Sequence, residues 1–302
     1  MDDKKQNSEQ EKKQKQYNLY DIRDVIHLIK NCEGFSSIEK PILDHINEIV
    51  SKYEMDYNVI LLYQPYESIT ELLLDSMYNA VSKNANKKLL LILNSPGGRV
   101  EPAYLISKTC KELSSNFIVS IPRKAKSAAT LIALGANEIH MGIMSELGPI
   151  DPQFSGLPAL ALSSALDKLA QLSTKYPLSS EMFANYLAKK LDLDILGYFE
   201  RVSESAVQYA QRLLKGKHFP NKHTEESIAQ SLVYSYKDHS FVIDRDEIKQ
   251  YLGEHIKVDT QEYILGNEIH AFLEMANLFS DIFKKTNFGI VGTDFKYVYK
   301  QS

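Results

Sequence analysis

A serine, a histidine, a carboxylate and paired glycines are the parts of an acyl-transfer site, and this chain carries each at the end of a predicted element. The apolar run Leu89-Leu90-Leu91-Ile92-Leu93 breaks into Asn94-Ser95-Pro96-Gly97-Gly98. A second run, Phe117 to Ile121, leads into Lys126-Ser127-Ala128-Ala129-Thr130, and the block closes with Leu147-Gly148-Pro149-Ile150-Asp151-Pro152-Gln153. Glycine tolerates positive φ and close backbone approach, so amides at Gly97 and Gly98 can turn toward one point and stabilise an oxyanion. A serine at a helix start gains from the positive end of the helix dipole, and the next amide, Ala128, can share the oxyanion. Each feature also has a plain reading. Pro-Gly-Gly can be a bare turn, Ser127 an N-cap, and Asp151 an Asx-type turn between two prolines.

A serine nucleophile needs a base and a group that orients it. Of eight histidines, His27, His45, His255 and His270 lie in helical or charged surface contexts. His140 sits on a short strand near the core, and His218 and His223 in a polar break. His239 differs, standing in a loop beside Asp238 just before Phe241-Val242-Ile243, and loops often carry catalytic groups.

The elements that must hold these residues alternate. Strands are predicted at 57–63, 88–94, 116–121 and 138–142, and helices at 69–81, 100–114 and 127–136. Such alternation indicates a parallel sheet with right-handed crossovers, whose ligands sit beyond the carboxyl ends of the strands. Gly97, Gly98 and Ser127 all fall at such ends. Amphipathic helices precede this block at 17–53, with Ile22, Val25, Ile26 and Ile29 on one face, then Ile42, Ile46 and Ile49. Downstream, helices are predicted at 160–172, 180–191, 193–214, 224–232, 244–252 and 267–285, with a late strand at 295–298.

The chain's 302 residues can bury a sizeable core. A net charge of −4 with no basic stripe argues against a nucleic-acid partner. No apolar run approaches a membrane span, and the amino terminus lacks a secretory h-region. Cys32 and Cys110 are far apart and in no metal-ligand spacing, so they read as reduced thiols. The expectation is a cytoplasmic protein without metal or organic cofactor.

In this order, Pro-Gly-Gly after a strand, Lys126 to Ile139 and Leu147 to Gln153 resemble the serine dehydrogenase proteinase family. That family is grouped with signal peptide peptidase A and the Clp protease proteolytic subunit in the Clp/crotonase superfamily. The resemblance is strong over Leu89–Gln153 and weaker over Ala229–Leu252, where Lys237-Asp238-His239-Ser240-Phe241 stands for the family's Thr-His-Asp-Tyr-Pro-Ile segment. It implies an α/β fold, a Clp/crotonase-like parallel sheet with flanking helices plus N-terminal and C-terminal helical extensions. The expected layout is a disordered tail at 1–16, a helical extension at 17–55, a peptidase domain at 56–255 and a helical extension at 256–302.

Carried over by position, the resemblance implies a soluble serine peptidase with Ser127 as nucleophile and Gly97, Gly98 and Ala128 as oxyanion donors. Asp151 falls close to where the Clp proteolytic subunit has its catalytic histidine, and the His239 segment close to where it has its aspartate. The expected arrangement is therefore a swapped one, with His239 as base and Asp151 orienting it. The altered His239 segment leaves a lysine base open, at Lys126, Lys168 or Lys175, although Lys126 adjoins Ser127 and should point away from it. Competing readings are an acyl-CoA enzyme of the crotonase type and a catalytically impaired scaffold. Peptide or protein substrates and a homo-oligomer are the expected partners.

Overall fold

The computed structural model describes residues 17–154, 157–190 and 193–299; the tail expected to be disordered lies outside them. Helices α1 (Ile22–Asn31) and α2 (Ser36–Ser51) come first, then β1 (Asn58–Tyr63), α3 (Leu74–Ser82), β2 (Lys88–Asn94), α4 (Val100–Leu113) and β3 (Asn116–Ile121). Next are β4 (Lys124–Ala125), α5 (Ala128–Leu134), β5 (Glu138–Met141), β6 (Glu146–Leu147), β7 (Gln153–Phe154) and β8 (Leu157–Pro158). The chain continues through α6 (Ala159–Lys175), α7 (Ser180–Lys190), α8 (Leu193–Leu214), α9 (Glu225–Tyr234) and α10 (Arg245–Leu252). It closes with β9 (Ile256–Val258), α11 (Gln261–Lys284), β10 (Thr286–Gly292) and β11 (Asp294–Tyr299).

Seven strands form the main sheet, ordered β11-β10-β1-β2-β3-β5-β9. The five strands from β1 to β9 in that order are parallel, and β10 and β11 add an antiparallel edge beside β1. A parallel sheet covered on both faces needs apolar side chains at successive positions, and β2 shows how this is met. Leu89, Leu91 and Leu93 enter the core under α3, α4, α5, α8 and α9. Leu90 and Ile92 enter a second core on the opposite face, built by α1, α2 and α11. All five are buried, each contributing about 1.5–3 kcal/mol of transfer free energy.

Segment 256–302, expected as a helical extension, contains the long helix α11 and also supplies β9, β10 and β11 to the sheet. Strands β9 and β10 were not anticipated. The first is only three residues long, and the second carries Thr286, Asn287 and Gly289 among its apolar residues, blurring its pattern. All seven β10 residues are nevertheless buried, with the Asn287 position paired to Val298 and that of Phe288 to Tyr297. Phe241–Ile243, read as strand-like, forms a single bridge from Ile243 to Leu147.

A second, smaller ladder crosses the carboxyl ends of the main strands. Ser95, just past β2, bonds to the next segment through Ser95 N–H to Lys124 O (2.9 Å) and Lys126 N–H to Ser95 O (3.1 Å). Strand β4 then pairs with β6, and Leu147 exchanges two backbone bonds with Ile243 (2.9 and 3.1 Å). Four chain segments distant in sequence therefore lie side by side. Every candidate site residue falls within four positions of this ladder: Gly97 and Gly98 after Ser95, Ser127 and Ala128 after Ala125, Asp151 after Leu147, His239 before Ile243.

Candidate active site

Ser127 stands where β4 turns into α5, with φ 50° and ψ −122°. An L-residue other than Asn or Asp rarely adopts positive φ, and holding it there costs about 1–3 kcal/mol that neighbouring contacts must offset. Those contacts are visible. Ala129 N–H donates to Lys126 O (2.8 Å), and Thr130 and Leu131 donate to Ser127 O (2.9 and 3.4 Å), starting the helix around the serine. The buried Thr130 hydroxyl lies 2.7 Å from Ala125 O and 2.8 Å from Gly148 O, and accepts from Gly148 N–H at 3.0 Å. The Ser127 side chain does not cap α5, which removes the plain N-cap reading. Its hydroxyl has no hydrogen-bond partner among the described residues.

The glycine loop presses directly on this turn. A Cβ on Gly97 would lie 2.7 Å from Ser127 Cβ and 3.1 Å from Ala128 N, and one on Gly98 would lie 2.3 Å from Ile69 N. Both glycines have positive φ, 106° and 149°. Ile69 N–H donates to Gly97 O (2.8 Å) and Arg99 N–H donates to Ile69 O (2.8 Å), fixing the loop from its far side. Gly97 N–H donates to Ser95 Oγ (3.1 Å), so of the three expected donors this one is already committed. The amides of Gly98 and Ala128 have no acceptor among the described residues, and Gly98 is exposed.

Asp151 and His239, 88 residues apart, meet: His239 Nδ1 lies 2.8 Å from Asp151 Oδ1. A carboxylate only accepts, so this contact assigns the proton to Nδ1 and leaves Nε2 as the acceptor of a neutral ring. Asp151 is 3% exposed and His239 24%, a buried acid behind a ring that reaches solvent. Ile150 N–H donates to Leu232 O (3.0 Å), anchoring the acid's segment on α9. The sequence neighbour of His239 has a different task. Asp238 accepts from the Ser240 amide and hydroxyl (both 2.7 Å), which hold its carboxyl below the ordinary range and close the turn. Tyr236 and Phe241 rings, 4.9 Å apart, pack across that turn. The loop is framed by α9, with Thr224 and Ser227 capping its start, and by α10, capped by Asp244.

The Lys126 side chain reaches the His239 loop and β6. Its ammonium donates to Ser240 O (3.2 Å) and Phe241 O (2.9 Å) and pairs with Glu146 (3.2 Å). Three acceptors thus face its three N–H groups. Glu146 and Thr130 were not singled out in the sequence, since their partners lie on other segments. Among the described residues no three His, Cys, Asp or Glu side chains gather as a metal-binding group, and no helix is long and apolar enough to cross a membrane.

Two relatives from Methanocaldococcus jannaschii are similar to the chain. Uncharacterized protein MJ0137 is 39% identical over 83 residues, and uncharacterized protein MJ1495 is 27% identical over 185. The matches cover 28% and 61% of this chain and span 29% and 56% of those proteins. Two solved structures of the 1510-N membrane-bound stomatin-specific protease are also similar, one a serine-to-alanine mutant and one a lysine-to-alanine mutant with a substrate peptide. Each superposes with TM-score 0.42 at 16% identity, covering 73% and 80% of this chain and 84% and 85% of the other. The profile of the ClpP-like SDH-type serine proteinases matches residues 75–275, which include both glycines, Ser127, Asp151 and His239, and the chain belongs to that family.

Proposed function

We propose that this protein hydrolyses peptide bonds through a Ser127 acyl-enzyme. The observation that carries the reading is the strained Ser127 turn, whose hydroxyl and following Ala128 amide are uncommitted and against which the Gly97–Gly98 loop presses. Ser127 Oγ attacks the scissile carbonyl carbon while its proton passes to His239 Nε2. The carbonyl oxygen, now negative, accepts from the two amides, each such donor contributing about 3–4 kcal/mol in a preorganised site. Asp151 keeps the Nδ1 proton in place and stabilises the imidazolium. The imidazolium protonates the leaving amine, and water, deprotonated by the same nitrogen, releases the acid and restores Ser127. Serine and imidazole are not hydrogen-bonded among the described residues, so the reading requires that contact to close when substrate binds, as catalytic hydrogen bonds often do.

Fluorophosphonate labelling tests it. The wild type should label and Ser127→Ala should not, while His239→Ala should label far more slowly. Folded wild-type protein without Ser127-dependent labelling would point instead to the impaired scaffold or to crotonase-type chemistry, which needs the oxyanion hole but no serine.

A further inference from the structure

We propose that Lys126 is a positioning residue, which locks the His239 loop onto the nucleophile turn. It rests on the reading of His239 as base. Lys126 precedes Ser127 in the chain, yet its ammonium binds the carbonyls of the first and second residues after His239. One side chain thus joins the two halves of the site directly. Glu146, on β6 of the small ladder, completes the set at 3.2 Å. Lys126 and Glu146 are only 15% and 16% exposed, so solvent and salt screen the pair less than a surface bridge, and the bonds to carbonyls are charge-assisted.

The path of the lysine stem is itself built. A Cβ on Gly148 would lie 2.7 Å from Lys126 Cδ and 3.4 Å from Ser127 N, so the absence of a side chain there gives the stem its passage. Elsewhere the His239 turn is held by Asp238 within itself, by the Asp151 contact and, two residues past Phe241, by the Ile243–Leu147 backbone bonds. Removing the ammonium leaves the carbonyls of Ser240 and Phe241 without this donor and frees the segment that sets the imidazole's distance from Ser127. A displacement of about 1 Å at a reacting group can cost on the order of 100-fold in rate.

The experiment measures fluorophosphonate labelling with maximal rate and half-saturation resolved separately, for wild type, Lys126→Met, Lys126→Arg, His239→Ala and Lys126→Met/His239→Ala. Lys126→Met should lower the maximal rate about 10- to 100-fold with half-saturation nearly unchanged. Lys126→Arg, keeping charge and donors, should recover much of it. The double variant should label no more slowly than His239→Ala, because a residue acting through the imidazole has nothing left to lose. Should Lys126→Met fail to fold, Lys126→Gln takes its place, with a smaller loss of the same non-additive kind. A wild-type rate in folded Lys126→Met or Lys126→Gln, or additive losses in the double variant, would overturn the inference. Wild-type labelling by His239→Ala would instead overturn the base reading and the inference with it.

Discussion

The two halves of the candidate site are held by different kinds of bond. The half that carries Gly97, Gly98 and Ser127 is fixed by backbone. Amide–carbonyl bonds run along the small ladder, the loop is bonded to Ile69, and glycines sit where a Cβ would collide with main chain. The half that carries Asp151 and His239 shares backbone bonds at Leu147–Ile243 and Ile150–Leu232, but the His239 turn beyond them is joined to its neighbours by side chains: the imidazole–carboxylate contact and the Lys126 ammonium on two carbonyls. Backbone fixation ties geometry to folding, so the first half cannot move without loss of stability. Side-chain fixation leaves the second half adjustable at little cost to the fold. That difference suits the proposed mechanism, in which the serine–imidazole contact closes on substrate binding.

Substitutions in each half should separate accordingly. Asp151→Asn should give the largest loss of activity. Its amide cannot require a proton on Nδ1, the ring adopts the other tautomer, and the maximal labelling rate should fall on the order of 10³- to 10⁴-fold. The thermal midpoint should shift little, since the neighbouring backbone bonds remain. Gly98→Ala should cost less activity and more stability. The new Cβ meets Ile69 backbone at 2.3 and 2.4 Å with φ at 149°, forcing the loop and one oxyanion donor to move. Labelling should drop about 100- to 1,000-fold, with roughly 2–4 kcal/mol lost in denaturant unfolding. A Gly98→Ala protein as stable as wild type would break the comparison, as would Asp151→Asn unfolding more readily than Gly98→Ala.

The same difference sets how much was legible in the sequence. Backbone devices leave local signatures: a leucine run ending in paired glycines, or a serine heading a row of small residues that must pack between α4 and α8. The Leu89–Gln153 block therefore disclosed β2, β3 and β5 and the helices between them, whereas the short β4 and β6 escaped and the role expected of Ser127 came from the family resemblance. The contact of Asp151 with His239 needed a family resemblance, because nothing near either residue specifies a partner 88 positions away. The pairing of Lys126 with Glu146 and the bonding of Thr130 to Gly148 had no signal at all, since a charge or hydroxyl in a loop is as often solvated as bound. Strand β10 escaped for a related reason. Its Asn287 is kept in the interior by sheet pairing, and Asn277 of α11 bonds both the amide and the carbonyl of Phe288, which composition cannot reveal.

At the far end of α5, as with the Thr130 hydroxyl at its start, a side chain also helps to secure the nucleophile half. Lys217, beyond α8, donates to Leu134 O at 2.7 Å and also to Ala136 O, closing the carboxyl end of the helix that Ser127 begins. Burial lowers its ammonium to about 7, with Lys111 acting in the same direction. Its folded value is thus below its unfolded one, and between the two the unfolded chain binds more protons. Stability from this residue must therefore rise with pH from about 7 toward the ordinary lysine range, by at most about 1.4 kcal/mol per unit for one proton. Below about 7 both states are protonated and the dependence vanishes. Lys217→Met leaves two helix-end carbonyls without this donor, a loss of about 1–3 kcal/mol offset at neutral pH by removal of a buried charge. Wild type and variant should thus differ little in urea unfolding at pH 7, and the wild-type advantage should widen at pH 8 and again at pH 9. A difference constant across that range would show that Lys217 is protonated alike in the folded and unfolded chain and would overturn this pH dependence.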